Sequence, residues 1–303
     1  MSIATRAAHS LRRRWRRITA SPTWLRGTWG VRSRLWSVTG APVVCLTHQM
    51  RNWGDALNHY LLDRLVGAGR AQYIDIHRQW PVVQGVIRTP IHVMVGSILQ
   101  HADEHCVVWG AGLMSADMAP SAPPAEILAV RGPLTRATLE RSGIACPGVF
   151  GDPALLMPRL YNPAEARQCH RLGVIPHYVD RSNAHVQRIA GEDGCTRIDI
   201  EAATEALVDR VCQCEAIASS SLHGLIVAQA YGVPGVWMRL SDRLEGGNFK
   251  FHDYYGSLGR EDVEPVNVDD GTTAAVLRRE AVLHEMPRRL DELARACPVG
   301  RIA

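Results

Sequence analysis

At 303 residues the chain exceeds one typical domain, and its 46% hydrophobic and 21% charged residues are those of an ordinary soluble globular protein. No stretch approaches the roughly 20 apolar residues that span a bilayer, and the eight cysteines contain no CxxC pair, which favours free thiols in a reducing cytoplasm over a metal site or disulfide frame. The net charge of +4 hides an asymmetry, because the first 54 residues hold ten arginines and no acid.

Within that basic end, LRRRWRRI and the tryptophans Trp15, Trp24, Trp29 and Trp36 define an arm over residues 1–38. It lacks the apolar core of a secretory signal. The arm suits peripheral contact with an anionic membrane surface, and equally a solvated tail. No nucleic-acid motif follows it, so nucleic acid is not an expected partner.

PVVCLTH reads as the first buried strand, and the helix after it is expected to be capped by Asp55, to present Leu57, Leu61 and Leu65 on one face, and to stop at Gly67. IHVMVGSIL, CVVWGAGL and EILAVR are three further strands, the last leading into a helix from Pro133 to Gly143. A second series runs through LGVIPHY, TRIDI, a helix carrying Ala203, Leu207 and Val211, AIASSS, the helical LHGLIVAQAYG, and GVWMRL as the last strand. The tail beyond Gly271 reads as helical and as packing across both halves.

Alternating strands and helices predict an α/β fold with mostly parallel sheets. The Pro-containing segment PRLYNPAEARQCHR separates residues 39–160 from 161–303 as two Rossmann-like domains. Ligands of such sheets bind outside the carboxyl ends of the strands, so strand ends are where chemistry is sought.

In NWGDALN, Asn52, Gly54 and Asp55 stand where the first strand gives way to a helix, as backbone donors that suit an anion or as a turn and cap. The loops GSIL, with Gly96 and Ser97, and WGAGL, with Gly110 and Gly112, admit close approach of a ligand or of a neighbouring strand end. Arg131 in AVRGP ends a strand and offers a fork for carboxylate or phosphate, against the alternative of a salt bridge. Asp152 in GDPALLMP is a proton acceptor, a partner for a cation, or a cap. ASSSLHGL sets Ser220, Ser221, Leu222 and His223 at a strand-to-helix corner, where an imidazole exchanges protons near neutral pH. NFKFHDYYGSLGR carries Lys250, the one lysine of the chain, among aromatics, with Arg260 behind it. No HExxH-like spacing argues for a metal.

Taken in order, NWGDALN, GSIL, WGAG, VRGPLTR, GDPALL, IPHY (with His177), SSSLHGLIVAQAYGVP and FKFHDYY resemble the polysaccharide pyruvyl transferase family, especially its bacterial exopolysaccharide branch of the xanthan and succinoglycan type. The likeness runs from about residue 48 to 260. It implies two Rossmann-like halves like those of GT-B glycosyltransferases, phosphoenolpyruvate as donor substrate with no cofactor, and a sugar of an oligosaccharide or lipid-linked glycan at the cytoplasmic face of the inner membrane as acceptor.

Many members carry Arg-Leu-His where this chain has Ser221, Leu222 and His223. The histidine carries over and the arginine does not, so another cation must meet the donor: Lys250, Arg239 and Arg260 are the candidates. Arg131 and Lys250 are expected to close on the donor from opposite halves, with His223 as base. A nucleotide-sugar glycosyltransferase shares the expected shape, and Ser221 also keeps open a sugar-binding homologue without activity.

Overall fold

The computed structural model of the chain describes residues 43–48, 53–84, 87, 89–163, 168–286 and 289–302. The basic arm and Asn52 lie outside the described residues.

The first half is built from β1 (Val43–Thr47), α1 (Trp53–Val66), β2 (Ala71–Asp75), the short α2 (Trp80–Val83), β3 (Ile91–Val93), β4 (Cys106–Trp109), β5 (Glu126–Ala129) and α3 (Pro133–Arg141). Its five strands are all parallel, in the order β2-β1-β3-β4-β5. The apolar runs of β1, β3 and β4 are buried nearly throughout, as a parallel sheet covered on both faces requires. Gly67 ends α1 with φ of 94° and Gly143 follows α3 with φ of 75°, a left-handed backbone that a β-carbon disfavours.

The second half repeats the plan with β6 (Leu172–Ile175), α4 (Ala184–Ala190), β7 (Cys195–Arg197), α5 (Thr204–Cys212), β8 (Ile217–Ser219), α6 (Leu222–Ala230), β9 (Gly235–Arg239), α7 (Phe249–Ser257) and β10 (Val266–Asn267). The order is β10-β9-β8-β6-β7, again all parallel. Read from its own first strand, this is the arrangement of the first sheet. The chain is therefore a two-domain α/β protein, as its alternating pattern predicts.

Two expectations are corrected, and one strand is added to those predicted. GVWMRL is not the final strand, because β10 adds beyond it, too short and polar to register as a strand in sequence. β2, the edge strand AQYID, is mostly half-buried and has no apolar run to betray it. Asp55 is not the cap of α1: the helix already begins at Trp53, and Asp55 sits in its first turn.

A central core joins the halves. Trp53, Leu57 and Leu61 of α1 share it with Leu207 and Val211 of α5 and with Trp237, Phe251 and Tyr254, while the outer face of each sheet has an apolar cluster of its own. The tail returns across both halves: α8 (Ala274–Glu280) follows the second sheet, Val282 bridges Gly235, and α9 (Leu290–Arg295) gives the carbonyl of Leu293 to the Trp109 indole at 2.8 Å. None of the described helices is long and apolar enough to cross a membrane.

Candidate functional site

In each sheet the strand order reverses beside its first strand, between β1 and β3 and between β6 and β8. Outside the carboxyl ends at such a point the connecting loops diverge and leave a crevice. The two crevices meet in one cavity of about 240 Å³. The first half lines it with His48 after β1, Asp55 of α1, His77 after β2, and Gly96, Ser97, Gln100 and His101 after β3. From the second half come His177 after β6, Ser221, Leu222 and His223 at the β8–α6 corner, and Arg243, Glu245 and Lys250.

The serine corner divides its labour. Ser219 Oγ accepts from the Ser221 amide at 3.0 Å and donates to the Ile175 carbonyl at 2.9 Å, closing the turn. Ser220 Oγ accepts from the His177 amide at 2.9 Å and is fully buried, so it holds the neighbouring strand end and does not reach the cavity. Only Ser221 of the three lines the cavity, and its side chain makes no capping bond to α6.

His223, in the first turn of α6, rests on α1 at Gly54: a β-carbon added there would fall 2.1 Å from Nδ1 and 2.2 Å from Cε1. Gly54 is therefore the seat of the imidazole. Nε2 is buried, has no hydrogen bond among the described residues and lies 3.5 Å from Asp152 Oδ2, itself buried with no other partner among them. The other carboxylate oxygen of Asp152 accepts from the Ala154 amide at 2.9 Å, capping the 3-10 turn Pro153–Arg159. Asp152 thus caps the turn with one oxygen and faces the imidazole with the other, and Nδ1, which rests at Gly54, is the ring nitrogen not turned to Asp152. The buried hydroxyl of Tyr254, held well above its ordinary pKa by burial first and then by Tyr255 and Asp152, stays a neutral phenol behind this pair.

Lys250 opens α7 with 9% of its surface exposed, its ammonium 3.3 Å from the Glu245 carbonyl. Burial, and secondarily the positive charge of Arg131, push its pKa down to about 8. His177 is pushed down to about 3 by burial, with Lys250 and His223 adding, so it is neutral at any working pH. Its Nδ1 accepts weakly from the Val179 amide at 3.4 Å.

Arg131 is placed differently from expectation. It is fully buried and does not line the cavity; Nε donates to Asp253 Oδ2 at 2.9 Å, Nη1 to Ser97 Oγ at 2.6 Å and Nη2 to the Leu113 carbonyl at 2.8 Å. Asp253, on α7, also accepts from the amide and hydroxyl of Thr135 at 2.8 and 2.7 Å, anchoring α7 to the start of α3. Arg131 therefore touches the cavity only through Ser97. Because a guanidinium only donates, Ser97 Oγ must accept from it, and its own proton is free to point elsewhere.

The WGAG glycines serve packing: a β-carbon on Gly112 would meet the Arg131 guanidinium at 2.3 Å, and one on Gly110 would meet Pro153 at 2.3 Å. Neither lines the cavity, whereas Gly96 does. Arg260 is exposed, paired with Asp262 at 2.9 and 3.0 Å, and away from the cavity; Arg239 is half-buried at the end of β9, also outside it.

Sequence reasoning missed several cavity residues. His48 ends a strand that was identified, and the strand-end rule applied to it would have found it. His77 follows the unrecognised edge strand, and its ring meets those of His48 and His101 at 5.0 and 5.9 Å. Arg243 lies four residues past β9 with no motif around it. Among the described residues no group of histidines, cysteines or carboxylates has metal-holding geometry.

The family whose description is polysaccharide pyruvyl transferase matches residues 52–242. Over 217 residues the chain is 28% identical to uncharacterized protein L143 of Acanthamoeba polyphaga mimivirus, covering 69% of this chain and 72% of that one. It is also 28% identical over 217 residues to the succinoglycan biosynthesis protein ExoV of Rhizobium meliloti (strain 1021), covering 70% of this chain and 63%, less than two thirds, of ExoV.

Proposed function

Since the chain belongs to the polysaccharide pyruvyl transferase family, we propose that it moves the enolpyruvyl unit of phosphoenolpyruvate onto a sugar and closes it into a pyruvate ketal. The acceptor is read as an exopolysaccharide repeat or its lipid-linked precursor, in keeping with the role that the name of ExoV gives that relative. A membrane-borne acceptor gives the basic, tryptophan-rich arm an anionic surface to rest on.

The observation that carries this reading is the meeting of Lys250 with His223, Ser97 and Ser221 in one cavity fed by both sheets. A carboxylate and a phosphate on one small donor call for charge and hydrogen-bond donors converging from more than one side. The donor methylene carbon must gain a proton as the sugar hydroxyl attacks the adjacent carbon and loses its own. Nδ1 of His223 takes the hydroxyl proton while Asp152 Oδ2 faces Nε2 at 3.5 Å and orients the ring. The Lys250 ammonium, weakened to a pKa of about 8, has the strength to supply the proton to carbon. Phosphate then leaves the tetrahedral intermediate carrying the proton held by His223, and a second hydroxyl of the same sugar takes its place on carbon as its own proton passes to the Lys250 amine.

Incubation with phosphoenolpyruvate and lipid-linked glycans, followed by phosphate release and by the mass of the glycan, tests the reading. Stoichiometric phosphate and a glycan heavier by one ketal are expected. Release of a nucleotide from a sugar nucleotide would assign the chain to glycosyl transfer instead, and tight glycan binding without turnover of any donor would leave a binding protein.

A further inference from the structure

We propose that Arg243 is the second cation of the donor site, supplying the charge that Ser221 does not bring to the β8–α6 corner. The identity of the anion, a carboxylate joined to a phosphate, rests on the pyruvyl-transfer reading. The position of the cation rests on geometry alone.

Two lining side chains of the described cavity are built as strong cations, Lys250 and Arg243. His177 is neutral, and His101 is pushed below its ordinary pKa by burial and by the charges of His77 and His48. Lys250 loses its charge near pH 8, whereas a guanidinium keeps its own at every working pH. A donor with two anionic groups therefore has one partner that titrates and one that does not.

Arg243 is also held in place. Nη2 donates to Asp180 Oδ1 at 3.0 Å, and the same oxygen accepts from the Ser241 hydroxyl at 2.6 Å. Asp180 has no exposed surface, and its second oxygen is buried with no partner among the described residues. Burying a carboxylate whose satisfaction is incomplete costs more than a half-exposed ion pair returns. A structural bridge gains nothing from that arrangement; a guanidinium steered to a fixed place at the cavity wall does. Nη1 makes no hydrogen bond with the described residues, which leaves that edge of the fork for an oxygen of the ligand.

The loop that carries Arg243, residues 240–248 between β9 and α7, is pinned at both ends of its contact with the site. The Glu245 carbonyl takes the Lys250 ammonium. Gly246, with φ of 75°, lies so close to Met114 of the first half that a β-carbon would fall 2.4 Å from the Met114 carbonyl. Met114 itself lines the cavity. Both cations thus stand on one wall and share one support.

The test compares wild type with Arg243→Ala, Arg243→Lys and, as a control, Arg260→Ala, whose side chain is exposed and outside the cavity. Binding of inorganic phosphate and of phosphoenolpyruvate is measured by calorimetry without acceptor, at two salt concentrations, beside KM for donor and acceptor. Arg243→Ala is expected to weaken both anions at least tenfold, to lessen the salt dependence and to leave the acceptor KM unchanged. Arg243→Lys should recover part of the loss, and Arg260→Ala should match wild type. Unchanged anion affinity in Arg243→Ala overturns the proposal. A wild-type protein that binds phosphate through Arg243 yet turns over no donor retains the site and sinks only the transfer reading; one that binds neither anion sinks both.

Discussion

Gly54→Ala separates the chemistry of His223 from its placement. The substitution adds one methyl group, in the first turn of α1, where alanine is preferred to glycine by about 0.5–1 kcal/mol. That methyl would lie 2.1 Å from Nδ1 and 2.5 Å from Cγ of His223. Ordinary carbon contacts begin at about 3.5 Å, so the ring must retreat by roughly 1.3 Å or more. Overpacking of this kind costs about 1–3 kcal/mol, partly offset by the helix preference, which leaves a net loss of at most about 2.5 kcal/mol and a fall in Tm of several degrees. A displacement of about 1 Å at a reacting group costs about 100-fold in rate. Turnover of donor should therefore fall about 100-fold while a thermal melt stays cooperative and near that of wild type. Retention of more than a tenth of wild-type turnover would refute the assignment of His223 as the reacting base seated on Gly54.

Asp152→Asn keeps an acceptor for the Ala154 amide but is able to turn its NH2 toward Nε2, which forces the proton to Nδ1 and removes the base. Turnover should drop about 100- to 10,000-fold with little change in the melt; steady-state kinetics beside calorimetry checks it. Lys250 sets a pH limit. With its folded pKa at about 8, below the ordinary 10.5, donor affinity should decline as the pH rises through about 8, read as a rising donor KM. The same shift acts oppositely on stability: the folded state disfavours the charged lysine, so the penalty is present below about 8 and relieved between about 8 and 10.5. Lys250→Met should then raise Tm at pH 7 while abolishing donor binding; an unchanged or lower Tm argues against burial as the cause.

These outcomes depend on how the halves are joined. Asp253 satisfies Arg131 and Thr135 from the opposite half, and Gly132 and Gly256 let α7 approach α3 closely: a β-carbon on Gly132 would fall 1.8 Å from the Asp253 carbonyl, and one on Gly256 2.7 Å from Pro133. On the far side the Trp53 indole donates to the Thr204 carbonyl at 3.1 Å, and the Tyr60 hydroxyl to Glu205 at 2.8 Å. Lys250 stands three residues before Asp253 on α7, so the lock that joins the halves also fixes the lysine at the cavity. Open and closed forms differing by a wide hinge would have to break a buried ion pair.

By itself the sequence determined the periodic features. Apolar runs marked β1, β3, β4, β6 and β8, because a strand buried on both faces has to be apolar at nearly every position. Pro133 and Gly143 bracketed α3, and the SSSLHG corner pointed to His223, since a strand end followed directly by a helix start leaves its side chains at the crevice. Only the tertiary structure decided direction and partnership. Arg131 could be placed at a strand end from sequence, but its guanidinium turns inward because Asp253, 122 residues further on, arrives there on α7. Of three adjacent serines, the turn at Ser219 and the amide of His177 claim two and leave Ser221 for the cavity. The polar edge strands β2 and β10, and with them His77, carried no period because half-exposed strands tolerate polar residues; Arg243 carried none because its position is set by Asp180, a contact between residues 63 apart that no local pattern encodes.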